Sequence, residues 1–328
     1  MNVIQCGLGG MGKQWLKTVN ESSNVHFAAY VEIDPATATA RIAEFNLDPA
    51  LVYPSLEAAL AAVPADGVID VTPPGAHKSI GFTAMDAGVP VLAEKPLAPT
   101  RADAQALVDK STSTGVLYMV AQNYRYSPVM QTVKQVLAAG AMGAVGAVNV
   151  RFFKGPHFGG FREIMAYPLI VDMAIHHFDL MRFLLDSNPI EIYGKSWNPA
   201  WSWFQGDASA AVSADFANGV AVQYAGSWCA QGQETAWNGD WRFDCAEGVV
   251  TVVDDRVYTQ HTAATTHEVP LVTMERQAQA YLLHEFYEAV TQGKPAATIC
   301  QDNLYTVNFV FDVVHSFESG AVIRPRNG

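Results

Sequence analysis

The sequence predicts an α/β protein in which an N-terminal Rossmann domain, a doubly wound parallel sheet, precedes an α+β domain with a mostly antiparallel, open sheet. Three observations predict this architecture. Short apolar runs alternate with helical stretches over the first 120 or so residues, strand-like segments and turns dominate afterwards, and a glycine cluster, QCGLGGMG (5–12), follows the first strand. We place the domain boundary so that residues 1–121 form the first domain and residues 122–328 the second.

The apolar runs of the first domain have the length of buried parallel strands, at 3–6, 26–33, 67–72, 89–94 and 116–122. Helices are predicted between them, near 11–19, 36–45, 77–87 and 101–114. In the second domain we predict helices near 128–139, 169–185, 275–291 and 301–318, and strands near 145–154, 190–196, 208–216, 219–228, 234–246, 248–253 and 256–261. The tripeptide ANG (217–219) is typical of a hairpin turn.

Composition excludes several classes of protein. The net charge of −12 argues against nucleic acid as a partner, because a surface that follows phosphates needs the opposite sign. No apolar run approaches the roughly 18 residues of a membrane span, and the first residues show no export signal. The four cysteines are scattered and lack the spacing of a zinc site, which predicts reduced thiols in a cytoplasmic protein.

The glycine cluster has the spacing Gly7-x-Gly9-x-x-Gly12 and lies between the first strand and the first helix. The first glycine permits a tight turn, the second lets a pyrophosphate approach the backbone, and the third lets helix and strand pack closely. The helix start at Gly10 and Met11 offers amides and a positive dipole end to phosphates. This stretch predicts a dinucleotide site.

The acidic residue expected at the ribose lies at the end of the second strand. Asp34 follows Gly12 by 22 residues, close to the usual spacing of about 20, and no arginine comes directly after it to hold a 2′-phosphate. The sequence therefore favours NAD over NADP. Glu32 is an alternative ribose ligand, and Asp34 has the alternative role of a helix N-cap.

Four further stretches occur in a fixed order: VTPPGAHKS (71–79), AEKPLA (93–98), NYRYSP (123–128) and DMAIHHFD (172–179). Together with the glycine cluster they resemble the glucose–fructose oxidoreductase / inositol dehydrogenase (Gfo/Idh/MocA) family over essentially the whole chain. Glu94-Lys95-Pro96 and Asp172-x-x-x-His176-x-x-Asp179 are the specific motifs. Ala174 departs from the family's usual glycine, which is a small change.

The resemblance implies particular roles for the matching residues. Lys95 corresponds to the active-site lysine, with Asp172 and His176 as its carboxylate and acid–base partners, and Pro96 matches a position that is often cis. Residues expected along the cofactor are Thr72, Pro73, His77, Glu94 and Lys95, and residues expected near the nicotinamide and substrate are Tyr124 and Arg125.

The chemistry of these residue types agrees with those roles. Asp172, His176 and Asp179 have the spacing of one helical face. A histidine near neutral pKa suits the removal of a hydroxyl proton, and a lysine stabilises the developing alkoxide. Because an acid–base pair is already present and a full ligand set is not evident, we predict no metal.

The loop KGPHFGGFRE (154–163) is the candidate for substrate specificity, through Lys154, His157 and Arg162. Six tryptophans lie between residues 197 and 241. Aromatic rings suit sugar faces, but tryptophan is also enriched at interfaces, and we interpret most of them as core or subunit contacts. We therefore predict a homodimer or homotetramer formed through the C-terminal sheet.

The function implied is an NAD-dependent dehydrogenase acting on a secondary alcohol of a sugar, inositol or related polyol. Three alternatives stay open. The first is a glycosidase- or lyase-like relative that oxidises its substrate only transiently, and the second is a non-catalytic dinucleotide-binding regulator. The third is an enzyme that reduces an aldehyde or an imine, and thus runs in the opposite direction.

Overall fold

The structure, a computed structural model, describes residues 1–325. The chain divides into two compact units, and neither is continuous in sequence. The first unit combines Met1–Asn123 with Arg276–Val307, and the second combines Tyr124–Glu275 with the segment that begins at Asn308.

A parallel sheet with the strand order β3-β2-β1-β4-β5-β6 forms the centre of the first unit. Its strands are β1 (Asn2–Cys6), β2 (His26–Val31), β3 (Val52–Tyr53), β4 (Gly67–Asp70), β5 (Val91–Ala93) and β6 (Tyr118–Val120). β1, β4, β5 and β6 are almost entirely buried, as expected for strands covered on both faces. Strand order runs outward in both directions from β1, which confirms the predicted doubly wound Rossmann sheet.

The helices between these strands are α1 (Gly10–Asn20), α2 (Pro35–Phe45), α3 (Leu56–Ala62), α4 (His77–Asp86) and α5 (Arg101–Thr114). Side chains that the sequence places before them act as N-caps: Asp34 caps α2, Ser55 caps α3 and Thr100 caps α5. β3 and α3 were not predicted from the sequence, because a two-residue strand leaves no apolar run and a seven-residue helix shows less than two full periods.

Residues 276–307 pack with the parallel sheet, which differs from the predicted division at residue 122. They contain α8 (Ala278–Gln292), whose Phe286 is fully buried beside Gly67 of β4. A Cβ at Gly67 would stand only 2.8 Å from the Phe286 ring, so strand and helix meet where the sequence has glycine. The backbone N–H of Val120 in β6 also donates to the carbonyl oxygen of Thr298 at 2.8 Å.

An eight-stranded sheet with the order β14-β13-β12-β11-β7-β10-β9-β8 dominates the second unit. Its strands are β7 (Val145–Phe153), β8 (Pro189–Trp197), β9 (Ser209–Phe216), β10 (Ala221–Ser227), β11 (Asp240–Cys245), β12 (Gly248–Val253), β13 (Arg256–His261) and β14 (His267–Val269). Only the β7–β10 pair is parallel, so the sheet is mostly antiparallel as predicted. The predicted hairpin turn at 217–219 joins β9 to β10, with Gly219 at a φ of +85°.

One face of this sheet carries the core, and the other is open. Burial alternates along β9, where Ala211, Ser213 and Asp215 are exposed and the residues between them are buried. The remaining helices are α6 (Pro128–Ala138), α7 (Ile175–Leu185) and α9 (Cys300–Ser319), of which α9 continues from the first unit into the second. Helix α7 is buried along nearly its whole length, so side chains on it are held firmly.

Candidate functional site

The glycine loop after β1 uses each of its glycines differently. Gly7 has a φ of +92°, and a Cβ there would stand 2.6 Å from the carbonyl oxygen of Val71. A Cβ on Gly12 would stand 2.5 Å from the Gly7 oxygen, so this glycine allows α1 to approach β1. Cβ atoms at Gly9 and Gly10 would meet nothing within 4 Å, which leaves this part of the backbone open for the approach of a large group. These properties fit the pyrophosphate of a dinucleotide.

The side chain of Gln5 fixes the loop from below, a contact that was not predicted from the sequence. Gln5 is fully buried in β1, and its Nε2 donates to the carbonyl oxygens of Gly7 and Gly12, both at 3.0 Å. A glutamine in an otherwise apolar strand directly before a glycine loop was the available signal. Because both carbonyls are held, the loop's N–H groups keep their direction.

The two acidic residues after β2 have separate positions. The carboxylate of Asp34 accepts from the backbone N–H groups of Ala36 and Thr37 and from the Thr37 hydroxyl, and these hydrogen bonds lower the pKa of Asp34. Asp34 therefore acts as the N-cap of α2, the alternative that the sequence left open. Glu32 instead accepts from the N–H of Leu8 in the glycine loop at 2.8 Å.

An arginine also reaches this loop, although none follows Asp34 directly. Arg41 of α2 donates from Nε to the Leu8 carbonyl oxygen at 2.9 Å, and its Nη1 pairs with Glu44 at 2.6 Å. NAD was predicted from the lack of an arginine nearby, and the position of Arg41 corrects that premise. Arg41 is thus engaged by a carbonyl and by a carboxylate.

The loops after β4 and β5 lie at the same edge of the sheet as the glycine loop, since parallel strands end together. Both ring nitrogens of His77 lie against carbonyl oxygens, Nδ1 at 2.9 Å from Pro96 and Nε2 at 3.0 Å from Thr72. His77 is fully buried. Its predicted place along the cofactor is therefore indirect: the imidazole ties the two loops together and presents no surface to a ligand.

Glu94 also supports this edge from inside the protein. Its Oε1 accepts from the indole Nε1 of Trp15 at 2.8 Å, and burial raises the pKa of its carboxyl group. Lys95 follows it, half-buried, two residues beyond the end of β5, and the Lys95–Pro96 peptide bond is cis, as the family resemblance implied. Thr72 donates from its hydroxyl to Asp70 at 2.6 Å, and Pro73 is exposed beside it.

In the second unit, the DMAIHHFD motif begins in a π-helix. Leu169–Ala174 form this wider turn, which continues directly into α7. Asp172 belongs to the π-helix and His176 to the first turn of α7. The helical stretch predicted over 169–185 is therefore present, with a π-helical start that the sequence pattern did not indicate. π-helical turns often occur at functional sites, and here one separates two predicted catalytic residues.

His176 is stacked on an aromatic ring that the sequence also singled out. The imidazole and the phenol ring of Tyr124 have centroids 4.2 Å apart and planes inclined by only 19°. Burial, with smaller contributions from Asp255 and Asp172, raises the pKa of Tyr124, so its hydroxyl stays neutral at physiological pH. Tyr124 thus holds the orientation of His176.

Asp172 and Arg162, predicted from separate motifs, are hydrogen-bonded to each other. Arg162 Nε donates to Asp172 Oδ2 at 2.6 Å, and the side chains are 30% and 12% exposed. The guanidinium carbon of Arg162 lies 5.2 Å from the Phe158 ring centroid and 4.8 Å from that of Phe161. The glycine-rich loop therefore places an arginine against the predicted catalytic carboxylate.

The structure corrects the expectation for Arg125. This arginine is buried and forms a two-pronged ion pair with Asp179, from Nε at 2.6 Å and from Nη2 at 2.7 Å. Both side chains are at most 6% exposed. Arg125 therefore anchors the segment after β6 to α7 and is not available to bind a substrate.

The neighbouring residues His176 and His177 are both buried but contact different side chains. His177 is fully buried among Phe152, Tyr224 and Trp241, and burial lowers its pKa from the ordinary 6.5 to about 4. It is thus a neutral core residue.

His157, in the glycine-rich loop, is exposed and stacks on Trp203 with ring centroids 3.7 Å apart.

Lys154 begins the same loop and is held by Glu234 at 2.9 Å, with its ammonium 5.4 Å from the Trp237 ring centroid. The tryptophans are divided between core and surface: Trp228 and Trp241 are buried, whereas Trp197, Trp201 and Trp237 are exposed.

Within residues 1–325, no three His, Cys, Asp or Glu side chains gather as a metal site would require. No helix in that range is both long and apolar enough to cross a membrane.

Comparison with protein families assigns both parts of the chain to one family. Residues 1–122 match the GFO/IDH/MocA model described as "Oxidoreductase family, NAD-binding Rossmann fold", and residues 130–251 match the GFO/IDH/MocA C-terminal domain. The chain belongs to the Gfo/Idh/MocA oxidoreductase family, and its first 122 residues are the family's NAD-binding Rossmann domain.

Individual relatives share only about a quarter to a third of their residues with this chain over the matched length. The uncharacterized protein y4oX of Sinorhizobium fredii is 27% identical over 345 residues, covering 98% of this chain and 95% of that protein. An inositol 2-dehydrogenase of Renibacterium salmoninarum is 31% identical over 185 residues, which cover 56% of this chain. This match spans about half, 54%, of that enzyme's own length.

Solved structures share the fold over nearly the full chain. An oxidoreductase from Agrobacterium radiobacter, crystallised with NAD⁺, L-tartaric acid and magnesium, superposes with a TM-score of 0.90 at 20% identity, covering 99% of this chain and 98% of that one. UDP-N-acetylglucosamine 3-dehydrogenase from Acidithiobacillus ferrooxidans has a TM-score of 0.82 at 20% identity, with 97% and 98% covered. At this identity the likeness establishes the fold alone.

Proposed function

We propose that the protein is an NAD-dependent dehydrogenase that oxidises a secondary alcohol of a sugar, inositol or related polyol. The observation that carries this proposal is the edge of the parallel sheet, where Lys95 follows β5 and the open Gly9–Gly10 backbone follows β1. A cofactor loop and an ammonium group thus belong to the same edge, where ligands of such sheets bind.

Residues of the first unit are assigned to the cofactor. The amides of Gly9, Gly10 and Met11 would bind the pyrophosphate at the start of α1, where no side chain of the described residues caps the helix. Glu32 is assigned in place of Asp34 as the carboxylate for the ribose hydroxyls, because Glu32 lies against the glycine loop through the Leu8 N–H whereas Asp34 caps α2. A carboxylate in that position repels a 2′-phosphate, which favours NAD over NADP.

Residues of both units are assigned to the reaction. When bound, NAD supplies the acceptor for the hydride that leaves the carbinol carbon. His176 takes the hydroxyl proton, so the alcohol becomes a ketone and the imidazole becomes an imidazolium. Lys95 stabilises the negative charge that develops on the oxygen, and Asp172 orients the donors around it. Tyr124 acts as a positioning residue through its stacking on His176.

The substrate class is inferred from the family and from its members. Named relatives include inositol 2-dehydrogenases and D-apiose dehydrogenase, and the Agrobacterium structure holds a hydroxy acid. All of these compounds carry secondary hydroxyl groups next to further hydroxyls. We propose a polyhydroxylated substrate of the same kind.

A substrate screen tests the proposal. Sugars, sugar acids and inositols are mixed with the protein and NAD or NADP in parallel, and reduced nicotinamide is followed by absorbance. We expect NADH to accumulate with at least one substrate and NADPH to form more slowly from NADP. Calorimetric titration with NAD alone reports cofactor binding independently of turnover.

Two results would favour the alternatives. Cleavage of a glycosidic bond without net NADH would identify a relative that oxidises its substrate transiently. NAD binding without turnover of any substrate, together with full biological activity of a Lys95→Ala variant, would identify a regulator.

We further propose that the chain self-associates through the open face of its C-terminal sheet, as a dimer or tetramer in the cytoplasm. Tyr193 and Trp197 of the edge strand β8 are both exposed on this sheet, and apolar side chains of this size favour burial in an interface. Light scattering coupled to gel filtration tests this, with a Trp197→Glu variant expected to shift the mass towards the monomer.

A further inference from the structure

We infer that Arg162 is the receptor for an anionic group on the substrate, so that the preferred substrate is an acidic polyol, a sugar acid or a sugar phosphate. This inference rests on the proposed dehydrogenase function and specifies its substrate class. It is carried by contacts that lie entirely within the second unit.

Arg162 is held in an orientation that leaves donors open. Its hydrogen bond to Asp172 uses Nε, so the two Nη groups remain as donors at the other end of the planar guanidinium. The rings of Phe158 and Phe161 contact the guanidinium and restrict its rotation. An arginine that is oriented in this way has already lost much of the conformational freedom that binding an anion would otherwise remove.

The partner of Arg162 places it beside the proposed chemistry. Asp172 is the carboxylate that the DMAIHHFD motif places one turn before His176. A group bound by the Nη groups of Arg162 would therefore lie across one guanidinium from the Asp172 carboxylate, several carbon atoms away along a polyol chain. An anion at one end of the substrate and a secondary alcohol near its middle match this arrangement.

Other arginines of the second unit are paired differently from Arg162. Arg125 is buried and both prongs of its guanidinium are taken by Asp179. Arg256 forms a two-pronged pair with Glu268 on the sheet edge. Arg162 differs from both in holding its carboxylate by a single nitrogen while being partly exposed. The two Nη groups of Arg162 are thus still able to donate hydrogen bonds to a ligand.

The test uses substrates that differ only at one end. Sorbitol, gluconate and sorbitol 1-phosphate form one set, with a hydroxymethyl, a carboxylate or a phosphate group at the C1 end, and xylitol with xylonate forms another. For the wild type, Arg162→Lys and Arg162→Gln, kcat/KM with NAD is measured for each member. Affinity is also measured without turnover, by tryptophan fluorescence of the NADH-bound protein. Arg256→Gln is the matched control, because it removes an arginine that is also paired with a carboxylate and lies over an aromatic ring.

The informative quantity is the ratio of kcat/KM for the acidic member to that for the neutral member. Loss of Arg162 also removes a partner of Asp172, but this affects both members and cancels in the ratio. We expect the wild type to prefer an acidic member by about tenfold to a hundredfold, the range of a charged hydrogen-bonded pair. Arg162→Gln abolishes the preference, Arg162→Lys keeps part of it, and Arg256→Gln keeps all of it.

The substrates and variants distinguish between the possible outcomes. Preference for gluconate identifies a carboxylate ligand, and preference for sorbitol 1-phosphate identifies a phosphate ester. A neutral polyol that is oxidised best, or an acid preference that survives in Arg162→Gln, overturns the inference and leaves the dehydrogenase intact. If no member of either set reduces NAD and none changes the fluorescence, the inference fails, and the wider screen with sugars and inositols decides separately whether the proposed function stands.

Discussion

The edge of the parallel sheet and the π-helical turn before α7 handle their polar side chains in opposite ways. At the sheet edge, the buried side chains of Gln5 and His77 contact backbone carbonyl oxygens, and that of Glu94 accepts a hydrogen bond from Trp15 of α1. At the π-helix, Asp172 and His176 are bonded to or stacked on other side chains from the same unit. In the first region buried side chains fix the position of the backbone, whereas in the second region side chains fix the orientation of other side chains.

This difference agrees with what each region has to recognise. A pyrophosphate is bound largely by backbone N–H groups, so buried side chains serve best by fixing the direction of those groups. Proton transfer requires an ionisable side chain at the reacting group, so its ring orientation has to be fixed instead. Substitutions in the two regions should therefore have different consequences for turnover, stability and cofactor affinity.

The largest effect is expected from removing the proposed reacting groups. Lys95→Ala and His176→Asn should each lower kcat by about 10²- to 10⁴-fold, because a charge stabiliser or a general base is lost. Steady-state kinetics with the best substrate of the screen measures this, and circular dichroism checks the fold.

Lys78→Ala provides the control, since Lys78 lies on α4 in the same unit and pairs with Asp103 on the surface. Its turnover should equal that of the wild type. A Lys95→Ala enzyme with undiminished kcat would show that the sheet edge contributes no reacting side chain.

The next effect concerns stability. Arg125→Gln should lower the free energy of unfolding by about 3–5 kcal/mol, because the buried carboxylate of Asp179 would lose its guanidinium partner. Urea denaturation gives the value. Arg256→Gln, which breaks an exposed pair, should leave the midpoint unchanged. Equal effects of the two substitutions would refute the anchoring role of Arg125.

A pH dependence of similar size is expected from His177. Its pKa is about 4 in the folded protein and 6.5 in the unfolded chain, so the unfolded chain binds more protons between these values. Stability from this group is therefore complete above pH 6.5 and falls as the pH drops towards 4, by about 3 kcal/mol in total.

Denaturation of wild type and His177→Gln at several pH values isolates this contribution. The difference in unfolding free energy between them should shrink as the pH falls from 6.5 to 4. A constant difference would mean that His177 titrates alike in the folded and unfolded states.

The smallest effects separate Glu32 from Asp34. Glu32→Gln should weaken NAD binding by about tenfold, since charge-assisted hydrogen bonds to the ribose are lost, with little change in stability. Asp34→Ala should slightly lower the Tm through the lost N-cap and leave the affinity for NAD as it was. Calorimetric titration and thermal melts measure both. The reverse pattern would return the ribose to Asp34.

Most of the fold was accessible from the sequence because periodicity and glycine spacing are local signals. The alternation of strands and helices predicted the Rossmann sheet, and Gly7, Gly9 and Gly12 marked its loop. The assignment of residues 276–307 was not accessible, because packing of Phe286 against Gly67 depends on contacts more than 200 residues apart in the chain.

The site was predicted in its residue types more than in its contacts. Sequence motifs selected Arg125 and His77 for roles in the site, but a motif does not show which side chains are buried. Burial decided that Arg125 pairs with Asp179 and that His77 spans two carbonyls. The hydrogen bond between Arg162 and Asp172 could not be predicted, because the loop that joins these two motifs, ten residues apart, has no regular periodicity.

The wider turn at 169–174 has an evolutionary consequence. Such a turn is equivalent to an ordinary helix that has gained one amino acid, and shortening it by one would rotate the residues before the excision by about 100° relative to α7. A deletion there would thus uncouple Asp172 from His176 without altering either residue. A one-residue deletion in this segment is thus one way in which a chain of this fold could change the placement of its carboxylate relative to its histidine.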